Sequence, residues 1–265
     1  MLNAVDIFTQ TLPSDTITIF DLRCNDSGLE GTVSPWGRLV VNAARIKDIP
    51  FHLEHVEMVD IPAVTAMLGI MPVRGASDQT ESFSTLPAIY DPRTKVSLCG
   101  SFSIVQYLEK QYPGACKLIP SDCEALLASF VIACESIDSK AFQFILPSMM
   151  KMLEGTRSED QFRETRLKAL GKESADTLVP KGEEAAKVWA DIKRMFDNIN
   201  NWYGDGMFVM GGDQPTFIDM SMEGRLWWYR SALGPESQEW QDILTWNNGR
   251  WGILIAYFDD YYKTI

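Results

Sequence analysis

The chain has 265 residues, 46% of them hydrophobic, and a net charge of −12. That length fits one large domain or two ordinary ones, and the apolar fraction supports a packed core rather than disorder. The acidic balance argues against nucleic acid or an anionic membrane as the main partner, because both reward clustered Lys and Arg, and it favours a small-molecule ligand.

The opening MLNAVDIFTQTLPSDTITIFD has no basic segment followed by a long apolar run, so no signal peptide is expected. No apolar run approaches membrane-spanning length. Thr16–Leu22 alternates as a strand and is rich in β-formers. The loop from Arg23 to Val33 follows, with Gly, Asn and Asp as breakers. SPWGRLVVNAARIKDI then predicts a helix, because Trp36, Leu39, Val40, Ala43 and Ala44 recur on one face. PFHLEHVEMV predicts a second strand and IPAVTAMLGI a short helix. Thr85–Asp91, a turn at DPRTK and the run VSLC predict a hairpin. SFSIVQYLEKQYP predicts an amphipathic helix stopped by Pro113.

The order is therefore β-α-β-α-β-β-α, an α/β domain over residues 1–112. Residues 113–122 read as a linker. Residues 123–265 read as an all-helical domain, carried by CEALLASFVIACESIDSKAFQFIL, EEAAKVWADIKRMFDNINNWY, FIDMSMEGRLWWYRSAL and GILIAYFDDYY. Thr216 and Asp219 have the spacing of a capping box and mark a helix start. The five cysteines are odd in number and have no close repeated spacing, which points to reduced thiols in a cytoplasmic protein. His52 and His55 are three apart in a strand and face opposite ways, so no metal site is expected.

Three stretches carry candidate chemistry. Ser34 precedes Pro35 at a helix start, and it reads either as an N-cap or as a reactive-site hydroxyl. A thiol held at that terminus would be favoured as its thiolate by the helix dipole and a hydroxyl donor. Pro87 opens an apolar strand. It reads either as a trans start or as a cis bond that turns the Leu86 backbone toward an extended peptide ligand. Ser101 reads as the N-cap of the third helix, where exposed N–H groups suit a carboxylate.

These features in this order resemble the cytosolic glutathione transferase superfamily, over the chain from about Thr16 onward. The run SPWGRLVVNAARIKDIPF is similar to its Ser-Pro helix start, TLPAIYD to its cis-proline strand, and FVMGGDQPTFIDM to the entry of a helix in its second domain. EWQDILTWNNGRW resembles the late helix of fungal members related to bacterial β-aryl etherases, the FuA-like group. The resemblance implies a thioredoxin-like N-terminal domain that binds glutathione and a helical C-terminal domain that supplies the electrophile pocket. It implies Ser34 as the hydroxyl that stabilises the thiolate, Leu86 and Pro87 on the cysteinyl backbone, and Ser101 with the Phe102 N–H on the γ-glutamyl carboxylate. Trp36, Phe142 and Met149 would contact an apolar or aromatic substrate. A homodimer is implied as well. Two departures stand out. Gly100 occupies a position that is often acidic in the family, and the Arg23–Val33 loop is long, which keeps Cys24 and Thr32 open as alternative active groups. An isomerase or cyclase, or a carrier of hydrophobic metabolites, stands beside the transferase reading.

Overall fold

The computed structural model describes residues 3–25, 34–74, 82–114, 116–174 and 177–263. Contacts divide the chain into two compact units. One is Met1–Leu118 with Gly155–Gln161, and the other is Ile119–Glu154 with Phe162–Ile265.

The first unit is built on four strands, β1 (Ile17–Leu22), β2 (Phe51–Val56), β5 (Ala88–Asp91) and β6 (Val96–Cys99), in the order β2-β1-β5-β6. β1 and β2 are parallel, joined through α2 (Pro35–Ile46), and the β5–β6 hairpin runs antiparallel to β1. α4 (Ser101–Gln111) follows β6 and packs against α2. This is the thioredoxin-like arrangement, βαβ followed by ββα.

Strand alternation explains the layers. Phe20, Val56, Ala88 and Tyr90 turn to one face, where Phe8 and Leu12 near α1 (Ala4–Thr9) and Ile61 and Val64 of α3 (Ile61–Met67) cover them. The alternate residues Ile17, Ile19 and Ile89 are also buried, and α2 and α4 contribute Val40, Ala43, Ile104 and Val105 to the core. A short hairpin of β3 (Val73–Arg74) and β4 (Ser82–Phe83) completes the described strands. The expected strand-helix order holds, with α1 and this hairpin added. The tip of the Met71–Ser84 insertion lies outside the described residues.

The second unit comprises α5 (Glu124–Met152), α6 (Glu159–Ala169, whose first residues fall in the other unit), α7 (Gly182–Tyr203), α8 (Phe217–Leu233) and α9 (Gln238–Lys263). α8 is buried almost all round, as a helix at the centre of a bundle must be, and it packs against α5 and α9. Its start is fixed by the expected capping box: Asp219 accepts the Thr216 N–H at 2.8 Å and the Val209 N–H at 3.0 Å. α5 continues through Pro147 and so carries Met149 and Met150 within the helix. α9 is interrupted at Trp246–Gly249, where Asn247, Asn248 and Gly249 have positive φ. α6 was not anticipated. Among the described residues, no helix is long and apolar enough to cross a membrane.

Candidate active site

The topology brings several chain segments to one edge of the first unit's sheet. β1 ends at Leu22, opposite Val56 of β2. β5 runs the other way, so its first residue, Ala88, pairs with Phe20 and places Pro87 at this same edge. Cys99 pairs with Ala88, so β6 also ends here and Gly100 and Ser101 follow at once. The Gly100 N–H donates to the Pro87 carbonyl at 3.0 Å. The Leu86–Pro87 bond is cis.

Ser34 holds the N-cap position of α2, with extended backbone and Pro35 just inside the helix. Its carbonyl accepts the Arg38 N–H at 3.0 Å, the first bond of the helix. Its hydroxyl makes no capping bond. The residue therefore sets the backbone of the helix start while its side chain is not spent on the helix. Trp36 is half-buried in the first turn of the helix.

One buried group at this helix start was not anticipated. A Cβ on Gly37 would lie 2.2 Å from the Asp21 carboxylate, so this fully buried side chain of β1 rests directly on the first turn of α2. α2 has no acidic residue of its own in that turn. Asp21 therefore packs a buried carboxyl group of the sheet against that turn. The single signal in the sequence was an Asp inside an apolar strand.

At α4 the structure corrects one expectation. Ser101 is the first helical residue, and Gly100 is the N-cap. The reason is backbone geometry. Gly100 has φ +89°, a conformation L side chains avoid, and nothing lies within 4 Å of the place its Cβ would take. The first bond of α4 runs from the Ile104 N–H to the Gly100 carbonyl, so the N–H groups ahead of it, at Ser101 and Phe102, point out of the helix end. Ser101 and Phe102 are both half-buried.

The cysteines differ in setting. All five are free thiols. Cys24 is half-buried just past β1. Burial pushes the Cys99 thiol up, away from the thiolate, and pushes the fully buried Cys134 up to about 12. Neither is suited to nucleophilic work. Thr32 and the rest of 26–33 lie outside the described residues. No group of three or more His, Cys, Asp or Glu among the described residues is placed to hold a metal ion.

Thus Ser34, Trp36, Leu86, Pro87, Ser101 and Phe102 all belong to the first unit. Phe142 and Met149 belong to the second, on α5. The Phe142 ring meets Trp228 at 6.0 Å between centroids, and Met149 is buried. Trp227, Trp228, Trp246 and Trp251 are buried too, the core role expected of them.

Two matches to known families decide the assignment. Residues 30–115 match the glutathione S-transferase N-terminal domain, and residues 125–261 match the glutathione S-transferase C-terminal domain. The chain belongs to the glutathione S-transferase family. Solved structures agree with it over nearly its whole length. A glutathione S-transferase of Ceriporiopsis subvermispora, in complex with glutathione, is 31% identical at TM-score 0.84, covering 93% of this chain and 97% of that one. A second from the same organism, also with glutathione, is 25% identical at 0.84, covering 94% and 100%. Glutathione transferase GSTFuA3 of Phanerochaete chrysosporium is 26% identical at 0.82, covering 94% and 98%. No curated protein sequence matches the chain. It is a glutathione S-transferase-like enzyme with structural neighbours in the fungal FuA group.

Proposed function

We propose that this glutathione S-transferase activates the thiol of glutathione at the start of α2 for attack on an apolar, aromatic or polyphenolic electrophile, by conjugation or ether cleavage. What supports this reading is that the cis Leu86–Pro87 bond and the N-terminus of α4 meet at the edge where β1 ends and the chain runs on to α2, whose N-cap residue Ser34 makes no capping bond with its hydroxyl. The relatives crystallised with glutathione support the choice of thiol.

The residues present suit such a ligand. Leu86 precedes β5 and would pair its backbone with the cysteinyl unit. The Ser101 hydroxyl and the Phe102 N–H would hold the γ-glutamyl carboxylate at the positive end of α4. Glutathione supplies a thiol whose deprotonated form attacks carbon and displaces a leaving group. Ser34 lowers the cost of that form by donating a hydrogen bond beside the α2 dipole. A free thiol has a pKa of about 8.5, and each unit of lowering takes ~1.4 kcal/mol, so a hydroxyl and a helix end supply one or two units. Trp36 is the side chain of the first unit proposed for the apolar electrophile. The enzyme is read as a homodimer, which sedimentation would reveal.

Gly100 favours a second reading, an isomerase or cyclase that makes less use of glutathione, because it offers no carboxylate to an ammonium group. One comparison tests both: glutathione affinity and thioether formation with an aryl halide, in wild type and Ser34→Ala. The transferase reading expects conjugation by wild type and loss of most of the rate in the variant. Absence of glutathione binding in wild type would sink it and favour the isomerase. Equal rates would remove Ser34 from the mechanism and turn attention to Cys24 or Thr32.

A further inference from the structure

We infer that Glu57 is a positioning residue that holds the chain at Gly155–Gln161 against the substrate edge of the first unit, and that this segment takes part in selecting the electrophile by its bulk. The inference rests on the function proposed above.

Glu57 directly follows β2, where Val56 pairs with Leu22 and the Arg23 N–H donates to the Val56 carbonyl at 2.9 Å. It therefore stands beside the point at which the chain leaves β1 on its way to Ser34. Its residue is 9% exposed. A carboxylate so enclosed is costly unless it is hydrogen-bonded. Ser158, fully buried, donates its hydroxyl to Glu57 at 2.5 Å, and Arg23 places Nε 3.9 Å from the other carboxylate oxygen. Three residues on, Asp60 forms an ion pair with Arg157.

Two consecutive residues, Arg157 and Ser158, thus engage two acids on a single turn of the chain after β2. A connection whose only task was to join α5 to α6 would need neither contact. Ser158 has no other described acceptor for its hydroxyl, and Glu57 has no described neutral donor besides it. The bond links Gly155–Gln161 through Glu57 to Arg23, and so to the base of the segment that delivers Ser34. A wall fixed at this place restricts the space open to an electrophile approaching the thiolate and leaves the glutathione contacts at Leu86 and Ser101 alone. Selection by shape rather than a change in thiol chemistry follows from that placement.

The test compares wild type, Ser158→Ala and Glu57→Gln, the last keeping an amide oxygen for the Ser158 hydroxyl. Michaelis constants are measured for glutathione, a small aryl halide and a bulky fused-ring aryl halide. Amide hydrogen exchange is followed at Arg23 and across Gly155–Gln161. In Ser158→Ala the constant for the bulky halide should change by about tenfold relative to the small one, the size of one lost buried hydrogen bond. The glutathione constant should stay within about twofold, and exchange should quicken at both places. Glu57→Gln should show the same pattern more weakly. Parallel losses for both halides, or faster exchange at Gly155–Gln161 with Arg23 unchanged, would overturn the inference. Should wild type bind no glutathione, the proposed function fails by itself; the exchange at Arg23 then decides whether Glu57 positions anything.

Discussion

The Gly100 N–H and the Pro87 carbonyl meet at 3.0 Å, and this contact joins the cis-proline turn to the start of α4. The two parts of the proposed glutathione site are thereby one piece of backbone. Gly100 accepts that role because its φ of +89° carries no penalty without a Cβ.

Substitutions at Gly100 separate backbone from charge. A Cβ added at Gly100 meets nothing within 4 Å, yet Gly100→Ala and Gly100→Glu both force a side chain into a positive φ, at about 1–2 kcal/mol of stability. Both should lower the urea midpoint to a similar degree. Because that penalty is shared, any difference in glutathione affinity between them reports the carboxylate. The Glu variant should bind the tripeptide more tightly than the Ala variant, by an amount approaching a charge-assisted bond of about 1.5–3 kcal/mol. Equal affinities would show that the ammonium group has another partner.

Ser34→Ala should act on chemistry and barely on folding. Loss of an N-cap hydroxyl typically costs ~1 kcal/mol. Ser34 makes no capping bond, so its removal should cost less than about half of that. Thermal unfolding of the apo protein checks this. A large drop in midpoint would assign Ser34 to the helix after all.

Gly37→Ala should be destabilising against the usual rule. Alanine normally gains up to about 1 kcal/mol over glycine inside a helix. Here the new methyl would sit 2.2 Å from a fully buried carboxylate. Overpacking of that kind costs about 1–3 kcal/mol and reverses the sign. Asp21→Ala in the same chain should recover part of the loss by opening the space, whereas Asp21→Asn, equal in size, should not. Denaturant unfolding of the four proteins gives the answer.

What was legible in the sequence follows from range. β1, α2 and the β5–β6 hairpin announced themselves through local period and turn residues. The capping box at Thr216 did the same, because both partners lie within one turn. Ser101 was misplaced by one residue, since a serine before an apolar run is the commoner cap and the φ of Gly100 depends on its bond to Pro87. α6 went unread because EDQFRETRLKA buries a single residue, Phe162, and shows no apolar stripe. The Asp21–Gly37 contact and the Glu57–Ser158 bond were out of reach altogether. The second spans 101 residues of chain, and no local pattern encodes it.

Alkaline pH should loosen the far end of the β5–β6 hairpin. Asp91 is fully buried and accepts hydroxyls from Tyr107 at 2.6 Å and Tyr112 at 2.7 Å, and the Arg93 N–H at 2.9 Å. Burial and the bond to Asp91 raise Tyr107 from its usual 10.0 to about 12, and the same causes raise Tyr112. The folded protein therefore holds these protons more tightly than the unfolded chain. The stability they contribute is complete below pH 10 and is lost as pH rises from 10 through 12. Unfolding followed by circular dichroism should show that fall, and Tyr107→Phe should flatten it. No change in the alkaline slope would mean that Tyr107 ionises at its ordinary value.

The second unit should depend on one buried ion pair. Arg225 of α8 is almost fully enclosed and donates through Nε to both oxygens of Asp138 on α5, at 3.1 and 2.9 Å. Its Nη1 reaches the carbonyl and hydroxyl of Ser221, and the Tyr229 hydroxyl donates to Asp138 at 2.8 Å. Removing one charge leaves the other uncompensated in the interior, which costs about 3–5 kcal/mol, whereas removing a single neutral donor costs about 1. Asp138→Asn should therefore destabilise far more than Tyr229→Phe. The double change Asp138→Leu with Arg225→Met removes both charges together, so it should cost less than the sum of the two single changes. A guanidinium chloride series on these variants measures each term. Additive losses would show that the pair is not coupled and that packing of α8 against α5 carries the unit without it.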